Sequence, residues 1–206
     1  MNTPLVPQYL DQNISWVDFN ERVLEEGLRR DLLPLDRYKY LSIVSSNFDE
    51  FFMVRVAALK RALENDAHEL SLDEELETIT RKIRSIHNRQ YMALREEVFP
   101  GLAQGGLSLL RPDDWNPSQK DYLSSYFLRE ILPLLTPLRV EEELPSMENL
   151  CIYAAFLLEQ EDDKNKISIV RIPEVLNRIV RFPQDDPGRE GEKYTWVLLE
   201  DLVLHW

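Results

Sequence analysis

The chain has 206 residues, 44% of them apolar and 30% charged, enough apolar material for one large domain or two small ones. Its formal charge is −13, split as −5 over residues 1–100 and −8 over 101–206. Neither half has the basic excess that draws in nucleic acid, and the charge argues against a polyanion groove built by this chain alone. Cys151 is the single cysteine, which excludes a disulfide framework or a Cys-based zinc site and fits a reducing compartment. The opening "MNTPLVPQYLDQ" has neither the basic start nor the apolar core of a signal peptide, and no run reaches the roughly 18 apolar residues of a transmembrane segment. The expected setting is the cytoplasm, with peripheral membrane association left open.

In chain order, the first hundred residues read as helices. "NISWVDFNERVLEEGLRR" offers Ser15 as N-cap, Asp18 three residues on as an acidic version of the capping box, and Ile14 with Phe19 as a hydrophobic staple. Trp16, Phe19, Val23, Leu24 and Leu28 then recur at helical spacing. Pro34 marks the start of the next helix. A third helical segment opens at Ser71 as cap with Glu74 as its partner. Leu72, Leu76, Ile79, Ile83, Ile86, Leu94 and Val98 keep one apolar stripe along it. Acids early and Arg81, Lys82, Arg84 and Arg89 later suit the helix dipole. Helices this long pack side by side, which predicts an antiparallel bundle.

"PGLAQGGLSLL" holds three of the six glycines and is the best domain boundary. The predicted domains are residues 1–104, helical, and 105–206. In the second, Asn116-Pro117-Ser118-Gln119 starts a helix. The runs "LCIYAAFLLE", "KISIVRIP", "NRIVRFP" and "YTWVLLE" then read as strands. This is an α+β pattern, and the predicted fold class for the whole chain is α+β: a helical bundle followed by an incomplete α+β head. "LEDLVLHW" stops in an apolar helical run without a cap, so the sequence is expected to be the front of a longer protein.

Recognisable catalytic motifs are missing. There is no GxGxxG, Walker loop or GxSxG. His68 lies in a charged loop, His87 on a basic helix face read as exposed, and His205 at the C-terminus; none has a metal-ligand neighbour at the right spacing. Asp113-Asp114, Asp162-Asp163 and Asp185-Asp186 read as solvated turns rather than Mg²⁺ sites, and Glu141 to Glu143 as an exposed loop.

The unusual stretch is "YLSIVSSNFDEFFMVRVAALKR", which sets Ser45, Ser46 and Asn47 inside the most apolar segment. One reading ends a helix near Val44 and restarts it with Asn47 as N-cap and Glu50 as its partner. The other runs the helix through, placing Tyr40, Val44, Asn47, Phe51, Val54 and Ala58 on one face. An amide there needs a partner, because leaving it unpaired costs about 1–3 kcal/mol. An Asn side chain offers both donors and an acceptor and can meet the edge of a heterocycle such as adenine.

"ISWVDFNERVLEEG", "DRYKYLSIVSSNFDEFFMVRVAALK", "ILPLLTPL" and "WVLLEDLVLHW" closely resemble, in order and over nearly the whole chain, the N-terminal part of bacterial polyphosphate kinases of the long, histidine-phosphorylating type. The resemblance implies reversible transfer of the terminal phosphate of ATP to inorganic polyphosphate, with Mg²⁺ and a phosphohistidine. It implies a helical N-terminal domain and a head used in homodimer or higher homo-oligomer contacts. ATP or ADP and polyphosphate would be the partners, with no nucleic acid. Carried over, the Asn of the SNxDEF motif, Asn47, contributes to the ATP site near the adenine. The family's catalytic histidines, and its phosphate- and metal-binding arginines, belong to regions beyond this sequence, so this part alone is expected to be inactive and to hold no metal. "EEELPSMENLCIY" stands where the family carries a His-Pro-Phe-type segment before an Asn-Leu motif, and only Pro145 and Asn149-Leu150 echo it. The competing expectation is a stand-alone, non-catalytic helical interaction protein.

Overall fold

The computed structural model describes residues 11–65, 70–140, 144–158, 166–183 and 193–206. The expectations for His68, Glu141 to Glu143, Asp162-Asp163 and Asp185-Asp186 lie outside the described residues. The chain divides into two compact units, Met1–Leu102 and Ala103–Trp206.

The first unit is helical. α1 (Gln12–Leu28) is capped by Asp11, whose carboxylate accepts from the backbone N–H groups of Asn13 and Ile14, both at 2.8 Å. Ser15 is therefore inside the helix, not its cap. Asp11 wins because a charged acceptor at the N-terminus satisfies two orphan donors and meets the positive end of the dipole. The buried seam of α1 is Val17, Asn20, Leu24 and Gly27. Phe19, expected in a staple, is 49% exposed and lies under the Arg22 guanidinium, 5.7 Å from the ring centre.

α2 (Pro34–Phe51) begins with proline at its first position, where the missing N–H costs nothing. It runs back along α1: Asn20 meets Val44 and Asn47, while Gly27 meets Leu41 and Arg37. A Cβ on Gly27 would stand 2.7 Å from Leu41 Cδ2, so the close approach of the two helices needs glycine. Arg37 is buried; its Nε donates to the Gly27 carbonyl (2.9 Å) and its Nη2 to Glu97 (2.7 Å).

After Phe51 the helix does not stop. It passes through one π-helical turn, Phe52–Val56, and continues as α3 (Ala57–Asn65). A π-turn takes in one extra residue, about 100° of helical rotation. The buried positions accordingly run Phe48, Phe51, Val56, Leu59, with a spacing of five across the turn. Val54 and Ala58, expected on the apolar face, are exposed.

α4 (Leu70–Ala93) already contains Ser71, which is therefore not its cap. It runs parallel to α1, as the Lys82–Asp18 and Arg89–Glu21 pairs require, and antiparallel to α2, so the three form a bundle. Ile79, Ile83 and Ile86 fill its core face. A second π-turn, Leu94–Val98, leads into α5 (Phe99–Gln104) and again separates two buried residues, Ala93 and Val98, by five.

The second unit is α+β. Gly106, at φ 87°, turns the chain into β1 (Leu107–Leu109). α6 (Pro117–Tyr126) starts where expected, closed by a capping box: Asn116 Oδ1 accepts from Gln119 N and Gln119 Oε1 from Asn116 N, each at 2.9 Å. A third π-turn follows at Phe127–Ile131. β2 (Leu138–Val140), β3 (Tyr153–Leu158) and β4 (Lys166–Arg171) form an antiparallel sheet in the order β2-β4-β3. β5 (Ile179–Arg181) and β6 (Tyr194–Leu198) pair antiparallel, and β1 adds in parallel on the other side of β6. α7 (Leu199–His205) closes the described chain, burying Leu199, Leu202 and Val203 against Leu123, Phe127, Ile131 and Val197. Trp206 stacks on Trp115 at 5.7 Å.

Candidate functional site

The Ser-Ser-Asn insertion lies inside α2, so the helix runs through it and Asn47 is not a cap. Each of its three polar side chains has its own partner. Ser45 accepts from Gln90 Nε2 on α4 at 2.8 Å. Ser46 donates back to the Ser42 carbonyl, 3.3 Å away and one turn earlier, the usual outlet for a serine within a helix. Asn47 is half-buried, and its Nδ2 donates to Asn20 Oδ1 at 2.9 Å. Asn20, which is 0% exposed, donates in turn from Nδ2 to the Val44 carbonyl at 3.2 Å. The amide that an apolar face could not tolerate alone is thus held by a second amide on α1.

Asn20 is the residue that sequence reasoning missed. The signal was present: at spacings of 3, 4 and 3 it falls between Val17, Leu24 and Gly27 on the buried face of α1. Two amides on apolar faces of successive helices are readily satisfied by each other. What spacing within one helix could not show is that α1 and α2 align antiparallel with these positions opposed.

The surroundings are aromatic. Trp16 stacks on Phe51 (4.6 Å between centres) and meets Phe48 edge-on at 6.0 Å. Phe48 also meets His87, edge to face at 5.2 Å. His87 is therefore half-buried, contrary to the exposed face expected for it, because α4 turns this residue toward α2. Burial pushes its imidazole below its ordinary value, and Asp49 partly offsets this. The folded state prefers the neutral ring, so His87 contributes stability that is present above about pH 6.5, the free imidazole value, and lost as pH falls toward the folded one. The melting temperature is expected to drop on acidification through this window in the wild type. In His87→Gln the drop over the same window should be smaller; equal drops would show that other groups carry it.

Arg55, in the first π-turn, donates to Asn13 Oδ1 at 3.2 Å, and Asn13 donates to Glu75 at 2.8 Å, tying that turn to α1 and α4. π-turns are frequent at functional sites because they re-aim side chains within an unbroken helix. The remaining histidine in the described residues, His205, packs on Trp115 and Trp206. Cys151 donates to Glu174 (2.9 Å), which pushes its thiol up and away from thiolate character. Among the described residues no group of three His, Cys, Asp or Glu side chains could hold a metal ion. None of the helices, over those residues, is long and apolar enough to cross a membrane.

Fold and site together define a helical domain carrying an oriented amide, followed by an α+β domain. The family models for the polyphosphate kinase N-terminal domain and the polyphosphate kinase middle domain match residues 9–110 and 118–206. The polyphosphate kinase of Bacillus cereus is 34% identical over 95% of this chain and 29% of its own length. That of Prosthecochloris aestuarii is 36% identical over 96% of this chain and 29% of its own. The crystal structure of polyphosphate kinase from Porphyromonas gingivalis superposes with a TM-score of 0.81 at 30% identity, over 95% of this chain and 30% of that one. The chain belongs to the polyphosphate kinase family, and it spans about three-tenths of the length of these relatives.

Proposed function

We propose that this chain is the leading portion of an enzyme that reversibly transfers the terminal phosphate of ATP to polyphosphate, and that it supplies one wall of the ATP site through Asn47. The observation that carries the reading is the amide's orientation. With one N–H on Asn20, Asn47 keeps its Oδ1 and its second N–H, the donor–acceptor pair that reads an adenine edge. The site is half-buried and flanked by aromatic side chains, where such bonds are worth more than in open water.

The phosphohistidine, the phosphate-binding arginines and the Mg²⁺ ligands are proposed to lie elsewhere in the enzyme. The acidic balance of the chain, at −13, supports assigning the basic path for polyphosphate to those same regions. The head unit is proposed to contribute homo-oligomer contacts, and the cytoplasm is the proposed location.

In the full-length enzyme, Asn47→Ala is expected to weaken ATP by about 1–2 kcal/mol, seen as a KM raised roughly 5- to 30-fold. An unchanged KM with a lowered melting temperature would assign Asn47 to helix packing alone.

A further inference from the structure

We infer that Asn20 is a positioning residue: it fixes which way Asn47 presents its amide, and thereby the preference for a purine with a 6-amino group over one with a 6-oxo group. The inference rests on the reading of Asn47 as a nucleotide contact.

The argument is one of donors and acceptors. The Val44 carbonyl can only accept, so the side chain of Asn20 facing it at 3.2 Å must present Nδ2. That turns Asn20 Oδ1 toward Asn47, and an amide oxygen can only accept. Asn47 must therefore present Nδ2 inward, at 2.9 Å, and direct Oδ1 away from Asn20. Reversing Asn47 alone would set two amide oxygens face to face. Reversing both amides would set Asn20 Oδ1 against the Val44 oxygen. Asn20 is fully buried, so water does not replace either bond. A backbone carbonyl on α2 thus dictates, through α1, the polarity of a side chain back on α2.

An outward oxygen accepts from the 6-amino group of adenine. Against hypoxanthine, whose 6-position is a carbonyl, it meets another acceptor. Freed from Asn20, the amide can turn over and offer an N–H to that carbonyl instead.

The test compares ATP with ITP in the full-length enzyme, reading kcat and KM for each. The wild type is expected to prefer ATP, and Asn47→Ala to lose that preference. Asn20→Leu, close in size but without polar atoms, should lower the ATP-over-ITP ratio of kcat/KM about tenfold. It should act through KM, with kcat at saturating ATP held. Asn20→Asp, whose carboxylate still accepts from Asn47, should keep the ratio while lowering the melting temperature.

A ratio unchanged in Asn20→Leu, with only stability lost, would make Asn20 a packing residue and overturn the inference while leaving the Asn47 reading intact. Absence of ATP preference in the wild type overturns it too. Unchanged KM values in Asn47→Ala overturn the nucleotide reading and this inference with it. If the leucine variant does not fold, Asn20→Ser, too short to bridge both partners, is read by the same ratio with the same expected direction.

Discussion

Phe51→Ala is expected to cost the helical unit about 3–5 kcal/mol, a large share of the 5–15 kcal/mol that typically holds a domain together. Phe51 is 1% exposed and stacks on Trp16 at 4.6 Å. Truncation removes the transfer free energy of the ring and leaves a cavity that helices on two sides cannot close. Its neighbour is the control. Phe52 is 43% exposed, so Phe52→Ala should stay within about 1 kcal/mol. Urea unfolding of both variants, followed by helical circular dichroism, separates the two. Equal midpoints would show that the π-turn does not divide these phenylalanines into an inner and an outer one.

Arg37→Ala carries the second large effect, expected at about 2–4 kcal/mol of lost stability. The guanidinium bonds the Gly27 carbonyl at the C-terminal end of α1 and Glu97 beyond α4. Those last carbonyls have no partner within their own helix, so Arg37 supplies one that buried surroundings would otherwise deny. The cost stays below that of a fully stranded charge, because Glu97 keeps Arg30 at 2.6 Å and is partly open to water. Arg37→Met should recover part of the loss by restoring the stem's packing.

The pH dependence gives the pair a signature. Hydrogen bonds from Arg30 and Arg37 hold the Glu97 carboxyl below its usual range. Its contribution is therefore present above the ordinary carboxylate values and lost as pH falls through the depressed one. The gap between wild type and Arg37→Ala should narrow on acidification through that window. A constant gap would assign the loss to packing and the Gly27 bond alone.

The elements that local chemistry decides were readable in the sequence. Pro34 and the Asn116–Gln119 box act within one turn of chain, and the helices start there. The four longer β-type runs contain strands β3 to β6. At the start of α1 the spacing pointed to Ser15 alone, and the charged Asp11, four residues earlier, took the role. β1 and β2 are three residues each, too short to show alternation, and exist because of partners far along the chain. At the site, the oddity of an amide on an apolar face was legible at Asn47. Its resolution was not, since Asn20 lies 27 residues away on another helix.

The three π-turns have a consequence for how this chain can be compared and rebuilt. Each stores one residue of length without breaking the rod, so a helix drawn at uniform pitch from Pro34 drifts out of phase by about 100° after Phe51. Substituting an idealised α-helix of equal length would carry Val56 off the buried face set by Leu41, Val44, Phe48 and Phe51 and bring Arg55 onto it. A one-residue deletion within 52–56 offers the gentler change: it removes the stored residue and lets a regular helix keep its inner face. Length within these turns therefore acts as a coordinate in its own right, and a gap placed there in an alignment of relatives has a structural meaning that a gap elsewhere in the bundle lacks.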